Sequence, residues 1–128
     1  MQALSDVRIL DITQHIAGPY CTKMLADYGA NVIKLERPGT GDISRSIGPF
    51  PGDVPHREKS GVFLHLNTNK RGITLDIKSD TGRKIFLDLI KHVDVVIESF
   101  APFTLPSIGL SYETLEKVNP KLILVSIS

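Results

Sequence analysis

Apolar residues fall along this chain in short clusters, and their spacing alternates between two kinds. Val7-Arg8-Ile9-Leu10-Asp11 is short and rich in β-branched residues, as a strand requires. A Gly18-Pro19 break follows, with Pro19 suited to the first turn of a helix. Cys21, Met24, Leu25 and Tyr28 then recur at helical spacing, and Gly29 stands where a helix stops. Val32-Ile33-Lys34-Leu35-Glu36 is the next strand. Strand, helix and strand within about thirty residues predict a parallel pair joined by a right-handed crossover.

Residues 37–60 break this rhythm with Pro38, Gly39, Gly41, Gly48, Pro49, Pro51, Gly52 and Pro55. Loops longer than about 12–15 residues in a compact domain tend to be functional or disordered. Within this one, Gly52 to Lys59 reads as solvated loop sooner than as a lid. Order returns near Val62-Phe63-Leu64-His65-Leu66, and alternating Ile73-Thr74-Leu75-Asp76-Ile77 predicts a strand. Ser79 or Asp80 caps a helix whose apolar positions are Ile85, Phe86, Leu89 and Ile90, with Lys91 and His92 in its last turn. Asp94-Val95-Val96-Ile97-Glu98 is charged at its ends and apolar within, the pattern of a parallel strand buried on both faces. Ser111 caps a short helix carrying Leu115 and Val118. After Pro120, Leu122 to Ser128 reads as a buried strand with no covering element after it, so a fragment of a longer chain is expected. The order βαβ…βαβαβ predicts an α/β fold: a Rossmann-like, open, mainly parallel sheet with helices on both faces.

Composition narrows the function. A chain of 128 residues, 41% hydrophobic and 23% charged, suits one soluble domain. Fifteen basic against fourteen acidic residues give a net charge of +1, which argues against nucleic acid or an anionic membrane as partner. No apolar run approaches the roughly 18 residues of a membrane span, and no signal peptide opens the chain. A single cysteine, Cys21, excludes an internal disulfide framework and fits a cytoplasmic protein. The dinucleotide fingerprint, the P-loop and the Gly-x-Ser-x-Gly elbow are all absent. His15, His56, His65 and His92 lack metal-ligand spacing. Cys21 reads as core, His15 as structural, Asp11 and Asp27 as polar residues at element ends, and Asp42 as a turn former.

Open parallel sheets bind ligands outside the carboxyl ends of their strands. Here those ends follow Asp11, Glu36, Ile77 and Glu98. The first carries Thr13 to Pro19, whose small residues at a helix start let backbone N–H groups approach an anion. The second carries Arg37, a planar donor fork suited to phosphate. The third carries Lys78, with Lys70-Arg71 entering the same strand, and the fourth carries Ser99-Phe100-Ala101-Pro102. Cations, backbone donors and one aromatic converging there suit a purine nucleotide with several phosphates.

Several segments also resemble one family in order and spacing. They are Ala17-Gly18-Pro19-x-Cys21-Thr22, Leu25 to Pro38, Gly41-Asp42, Asn69-Lys70-Arg71, Leu75 to Lys78, Asp94 to Glu98 and Gly109-Leu110. From about residue 4 onward the chain is similar to the start of the class III CoA-transferases of CaiB/BaiF type. That group includes formyl-CoA and carnitine transferases and α-methylacyl-CoA racemase. The resemblance implies that residues 1–128 are the N-terminal CoA-binding part of a longer chain, which works as an interlocked homodimer. It implies transfer of CoA from an acyl-CoA to a small carboxylic acid through an aspartyl intermediate, with no permanently bound cofactor. The aspartate, or the racemases' histidine–aspartate pair, would lie beyond Ser128, so no catalytic residue is expected here. A racemase, or a CoA-binding module without catalysis, remains the alternative.

By the same resemblance Ile16 and Ala17 approach the thiol end of CoA, and Arg37 meets the nucleotide phosphates. Leu75, Asp76, Ile77 and Lys78 line the nucleotide site, and Ser99, Phe100 and Ala101 form the loop at the next strand end. The chain departs from the pattern at Ile16, where oxalate-using members carry glutamine. It departs again at Ser99, at Ala101-Pro102-Phe103, and at Ser107, where a family arginine is missing. Lys78 or Lys70 is expected to offset that loss.

Overall fold

A computed structural model describes residues 2–128. Alternation along the first strand, β1 (Arg8–Ile12), sends Ile9 and Asp11 to one face and Leu10 and Ile12 to the other. Helix α1 (Ala17–Asp27) and strand β2 (Asn31–Glu36) follow, then two 3₁₀ turns over Ile43–Ser46 and Pro51–Asp53. Next come α2 (Gly61–Leu66), β3 (Arg71–Thr74), α3 (Asp80–Ile90) and β4 (Val95–Glu98). The chain ends with α4 (Thr104–Ser107), α5 (Tyr112–Val118) and β5 (Ile123–Ser126).

The five strands form one sheet in the order β3-β2-β1-β4-β5, and every neighbouring pair is parallel. The expected α/β architecture is therefore present, with strand order reversing between β1 and β4. One face packs Leu10, Ile12, Leu35 and Val96 against Phe86 and Ile90 of α3 and Leu115 of α5. The other packs Ile9, Val32 and Ile97 against Ala26 of α1 and Ala30. Burying each large side chain stabilises by about 1.5–3 kcal/mol.

Ser79 caps α3 by accepting from the Gly82 amide, and Ser111 caps α5 by accepting from Thr114. Gly29, with φ of 106°, ends α1 as expected.

Four expectations are corrected. First, α1 meets the sheet through Gly18, Thr22 and Ala26, with Cys21 and Leu25 partly buried against the same cluster as expected, whereas Met24 and Tyr28 are exposed. Small residues carry this contact because Thr13 presses on the helix: a Cβ at Gly18 would stand 2.3 Å from the Cβ of Thr13. Second, β3 ends at Thr74, so Leu75 to Lys78 lie past the strand end. Third, α3 stops at Ile90, with Lys91 as its C-cap and His92 beyond it. Fourth, β5 is not buried. It is an edge strand with Ile123 57% and Val125 36% exposed, because among the described residues no helix covers that face beside β4.

The long irregular stretch divides in two. Its first part is tied down through buried Asp42 and Ser44, and Pro51 to Lys59 are all exposed, as a solvated loop would be.

Candidate functional site

The carboxyl ends of β1 and β2 and the segments after β3 and β4 surround a cleft of about 420 Å³ on the α3 side of the sheet. Ile12 and Leu35 form its floor, and Leu75, Ile77, Phe100 and Ile108 give it apolar walls. Arg37, Pro38, Asp76, Lys78, Gln14 and Thr104 complete the lining. It straddles the point where the strand order reverses, the usual ligand position in open parallel sheets.

Local chemistry shapes each wall. Asp76 turns the chain after β3: its Oδ1 accepts from the Lys78 amide, and its carbonyl accepts from the Ser79 hydroxyl. Gly82 lets α3 approach this turn, since a Cβ there would stand 1.8 Å from the Asp76 oxygen. After β4, the Phe100 amide donates to the Glu98 carboxylate at 2.7 Å, which turns Phe100 into the cleft.

Six of the residues singled out from sequence meet at this cleft: Arg37, Leu75, Asp76, Ile77, Lys78 and Phe100. Ala101 lines a neighbouring pocket that shares Phe100. Ser99 stands behind the site, where its hydroxyl accepts from the Gln14 amide at 3.1 Å. Ile16 and Ala17 are exposed at the start of α1, outside the cleft lining. Sequence reasoning missed the apolar floor of Ile12 and Leu35, which alternation along β1 and β2 places on one face. It also passed over Gln14, whose Oε1 is buried with no hydrogen-bond partner among the described residues.

Arg37 makes only a long 3.4 Å bond to the Gly41 carbonyl, and neither Arg37 nor Lys78 has a carboxylate partner among the described residues. The other cations nearby are committed. Arg45 holds Glu36 with two bonds of 2.7 and 2.8 Å and stacks 3.8 Å above the Phe63 ring. Burial raises the Glu36 carboxyl, but Arg45 and the Asp42 amide outweigh it and hold its pKa below the ordinary value.

Lys70 is corrected as a phosphate ligand. Its ammonium is buried beneath α1, bonded to Asp11 at 3.1 Å, the Pro19 carbonyl at 3.0 Å and Asn67 at 2.7 Å. Burial brings its pKa down to about 8 against the opposing pull of Asp11. Arg71 sits at the opposite, amino edge and bonds Asn31. Asp11 is thus more than a strand-end residue: it accepts from Thr13, Thr22 and Lys70 in a buried network.

Asp42 does form the expected turn, accepting from the Ser44 amide at 2.8 Å, but it is also fully buried against Lys34 at 2.8 Å. Burial raises its carboxyl. Lys34 and the amides of Ser44 and His15 prevail and lower it. Among the described residues no cluster of three or more histidine, cysteine or acidic side chains is arranged to hold a metal ion. No helix among them is long and apolar enough to cross a membrane.

The family model described as CoA-transferase family III matches residues 4–128. Succinyl-CoA:mesaconate CoA-transferase of Haloarcula hispanica is 48% identical over 127 residues, covering 99% of this chain and 32% of the relative. Formyl-CoA:oxalate CoA-transferase of Afipia carboxidovorans is 52% identical over 126 residues, covering 98% and 29%. A crystal structure of a CAIB/BAIF family protein from Brucella suis superposes with a TM-score of 0.88 at 35% identity, covering 99% of this chain and 33% of that one. The chain spans about a third of the length of the curated relatives it matches.

Proposed function

The chain belongs to CoA-transferase family III, and we propose that residues 1–128 form the N-terminal, CoA-binding part of an acyl-CoA:carboxylate CoA-transferase. One observation carries this reading: Arg37 and Lys78, without carboxylate partners among the described residues, flank an apolar cleft at the carboxyl edge of a parallel sheet. Two cations without carboxylate partners among the described residues suit a ligand that brings its own anions. CoA is such a ligand, with a diphosphate and a 3′-phosphate on an adenosine. The apolar walls suit the purine, and the Asp76 carboxylate suits a ribose hydroxyl. Ile16 and Ala17, at the exposed start of α1, would face the pantetheine end, where first-turn amides have no helical acceptor.

The proposed reaction is carboxylate nucleophilic catalysis. An aspartate beyond Ser128 attacks the acyl carbon of the thioester, the C–S bond breaks, and a mixed anhydride and CoA thiolate form. The thiolate attacks the aspartyl carbonyl, releasing the first acid and leaving an aspartyl-CoA thioester. The acceptor carboxylate attacks that thioester and displaces CoA thiolate, which then attacks the acceptor's acyl carbon and frees the aspartate. No metal or redox cofactor enters these steps. Ile16, apolar and 49% exposed where oxalate-using relatives carry glutamine, favours an acceptor other than oxalate. The whole protein is proposed to act as an interlocked homodimer.

The test is to incubate the full-length protein with succinyl-CoA and a panel of dicarboxylic acids, and to follow thioesters and protein mass together. The expected result is a new acyl-CoA and a CoA-bearing protein intermediate. Deuterium exchange at the α-carbon without transfer would instead establish the racemase reading. Tight CoA binding with neither reaction would leave a non-catalytic module.

A further inference from the structure

The segment joining β1 to α1 adopts a conformation that its sequence does not favour. His15 has φ of 74°, in the left-handed region that glycine tolerates and β-carbon-bearing residues resist. Three buried or part-buried bonds hold this segment. The His15 amide donates to Asp42 Oδ1 at 3.0 Å, the Gln14 amide donates to the Ser99 hydroxyl at 3.1 Å, and the Lys34 ammonium donates to the Thr13 carbonyl at 3.0 Å. Lys34 and Asp42 are in turn paired at 2.8 Å, with side chains 3% and 0% exposed. Asp42 thus comes from the loop after β2, fully desolvated, to grip the His15 amide together with the amide and hydroxyl of Ser44. A turn former needs no such burial, because its bond to the Ser44 amide is available at the surface as well.

We propose that Asp42, locked by Lys34, is a positioning residue: it holds His15 in its left-handed conformation and so aims the free amides at the start of α1 toward the bound acyl-CoA. This rests on the CoA-binding reading above. The clamp acts directly on the loop at Ile16 and Ala17, and it reaches the nucleotide end of the cleft through the long 3.4 Å bond of Arg37 to the Gly41 carbonyl, with Lys78 outside it. Loss of the clamp therefore affects the pantetheine end of the ligand more than the nucleotide end.

Asp42→Asn in the full protein chain tests this. The amide has one acceptor oxygen: kept at the Oδ1 position it turns an NH₂ group toward the buried Lys34 ammonium and breaks the lock, and turned toward Lys34 it presents NH₂ to the amides of His15 and Ser44. The His15 amide should then lose hydrogen-exchange protection. CoA affinity should fall roughly tenfold, as for one lost hydrogen bond to a charged group, while affinity for adenosine 3′,5′-diphosphate stays within about twofold. Glycine accepts the left-handed conformation without the clamp, so Asp42→Asn with His15→Gly should recover most of the CoA affinity. Equal losses for CoA and the nucleotide, unchanged CoA affinity, or no recovery with His15→Gly would each overturn the proposal. If Asp42→Asn fails to fold, His15→Gly with Asp42→Ala serves in its place, and failure of that pair to bind CoA while folded counts against the clamp. A wild-type protein that binds neither ligand would sink the CoA reading itself, a result distinct from any of these.

Discussion

Lys70 and Lys78 lie eight positions apart in the sequence, yet the fold gives their charges opposite uses. Lys70 is buried against Asp11, whereas Lys78 is exposed on the cleft rim. Lys70→Met leaves a buried carboxylate unpaired and should cost about 3–5 kcal/mol in chemical denaturation. Lys78→Met should change stability by less than about 0.5 kcal/mol and weaken CoA binding instead. Sequence reading grouped the two because it counted charge near a strand without knowing which side of α1 each would reach. Arg37 was legible, since it directly follows an apolar strand. The buried partners Asp11, Asp42 and Lys34 were not, because their pairing crosses the chain at separations that no local pattern encodes.

Acid should reveal the same carboxylates. Asp42 and Glu36 have folded pKa values below their ordinary values of 3.8 and 4.5. Their contribution is therefore complete above the unfolded pKa and is lost as pH falls through the folded one. The melting temperature should fall below about pH 4.5, and Glu36→Gln should flatten that fall while lowering stability at pH 7.

Among the elements, turn chemistry was the most readable feature: Ser79, Ser111 and Gly29 each do what their residue type suggests. Helix α1 was placed correctly, with Cys21 and Leu25 packed as read, but Met24 and Tyr28 are exposed because Gly18, Thr22 and Ala26 carry the fully buried contact and hydrophobicity alone does not register small residues. The end of β3 was set too late, since alternation continues into a turn that Asp76 shapes. Gly82 gives that turn a test. Gly82→Ala drives a methyl group into the Asp76 carbonyl and should cost about 1–3 kcal/mol. Because the displaced segment carries Lys78, calorimetry should also find weaker CoA binding. Unchanged stability and affinity would mean that α3 does not set the cleft wall.

For the whole molecule, strand and helix periodicities were enough to give the parallel sheet, because each buried strand declares itself by apolar content. The edge was less legible. An apolar strand covered on one face and one covered on both look alike in sequence, so Ile123 and Val125 read as core when they are exposed. Unpaired, apolar edge strands promote association. The 128-residue chain should therefore self-associate as its concentration rises, and Val125→Lys should reduce the light scattering it produces.

Binding of CoA at the carboxyl edge is measured most directly by titration calorimetry on the full protein, wild type against Arg37→Ala with Lys78→Ala. Loss of two charge-assisted contacts should weaken CoA by about a hundredfold with the fold intact by circular dichroism. An unchanged dissociation constant in a folded double variant would contradict the assignment of this cleft.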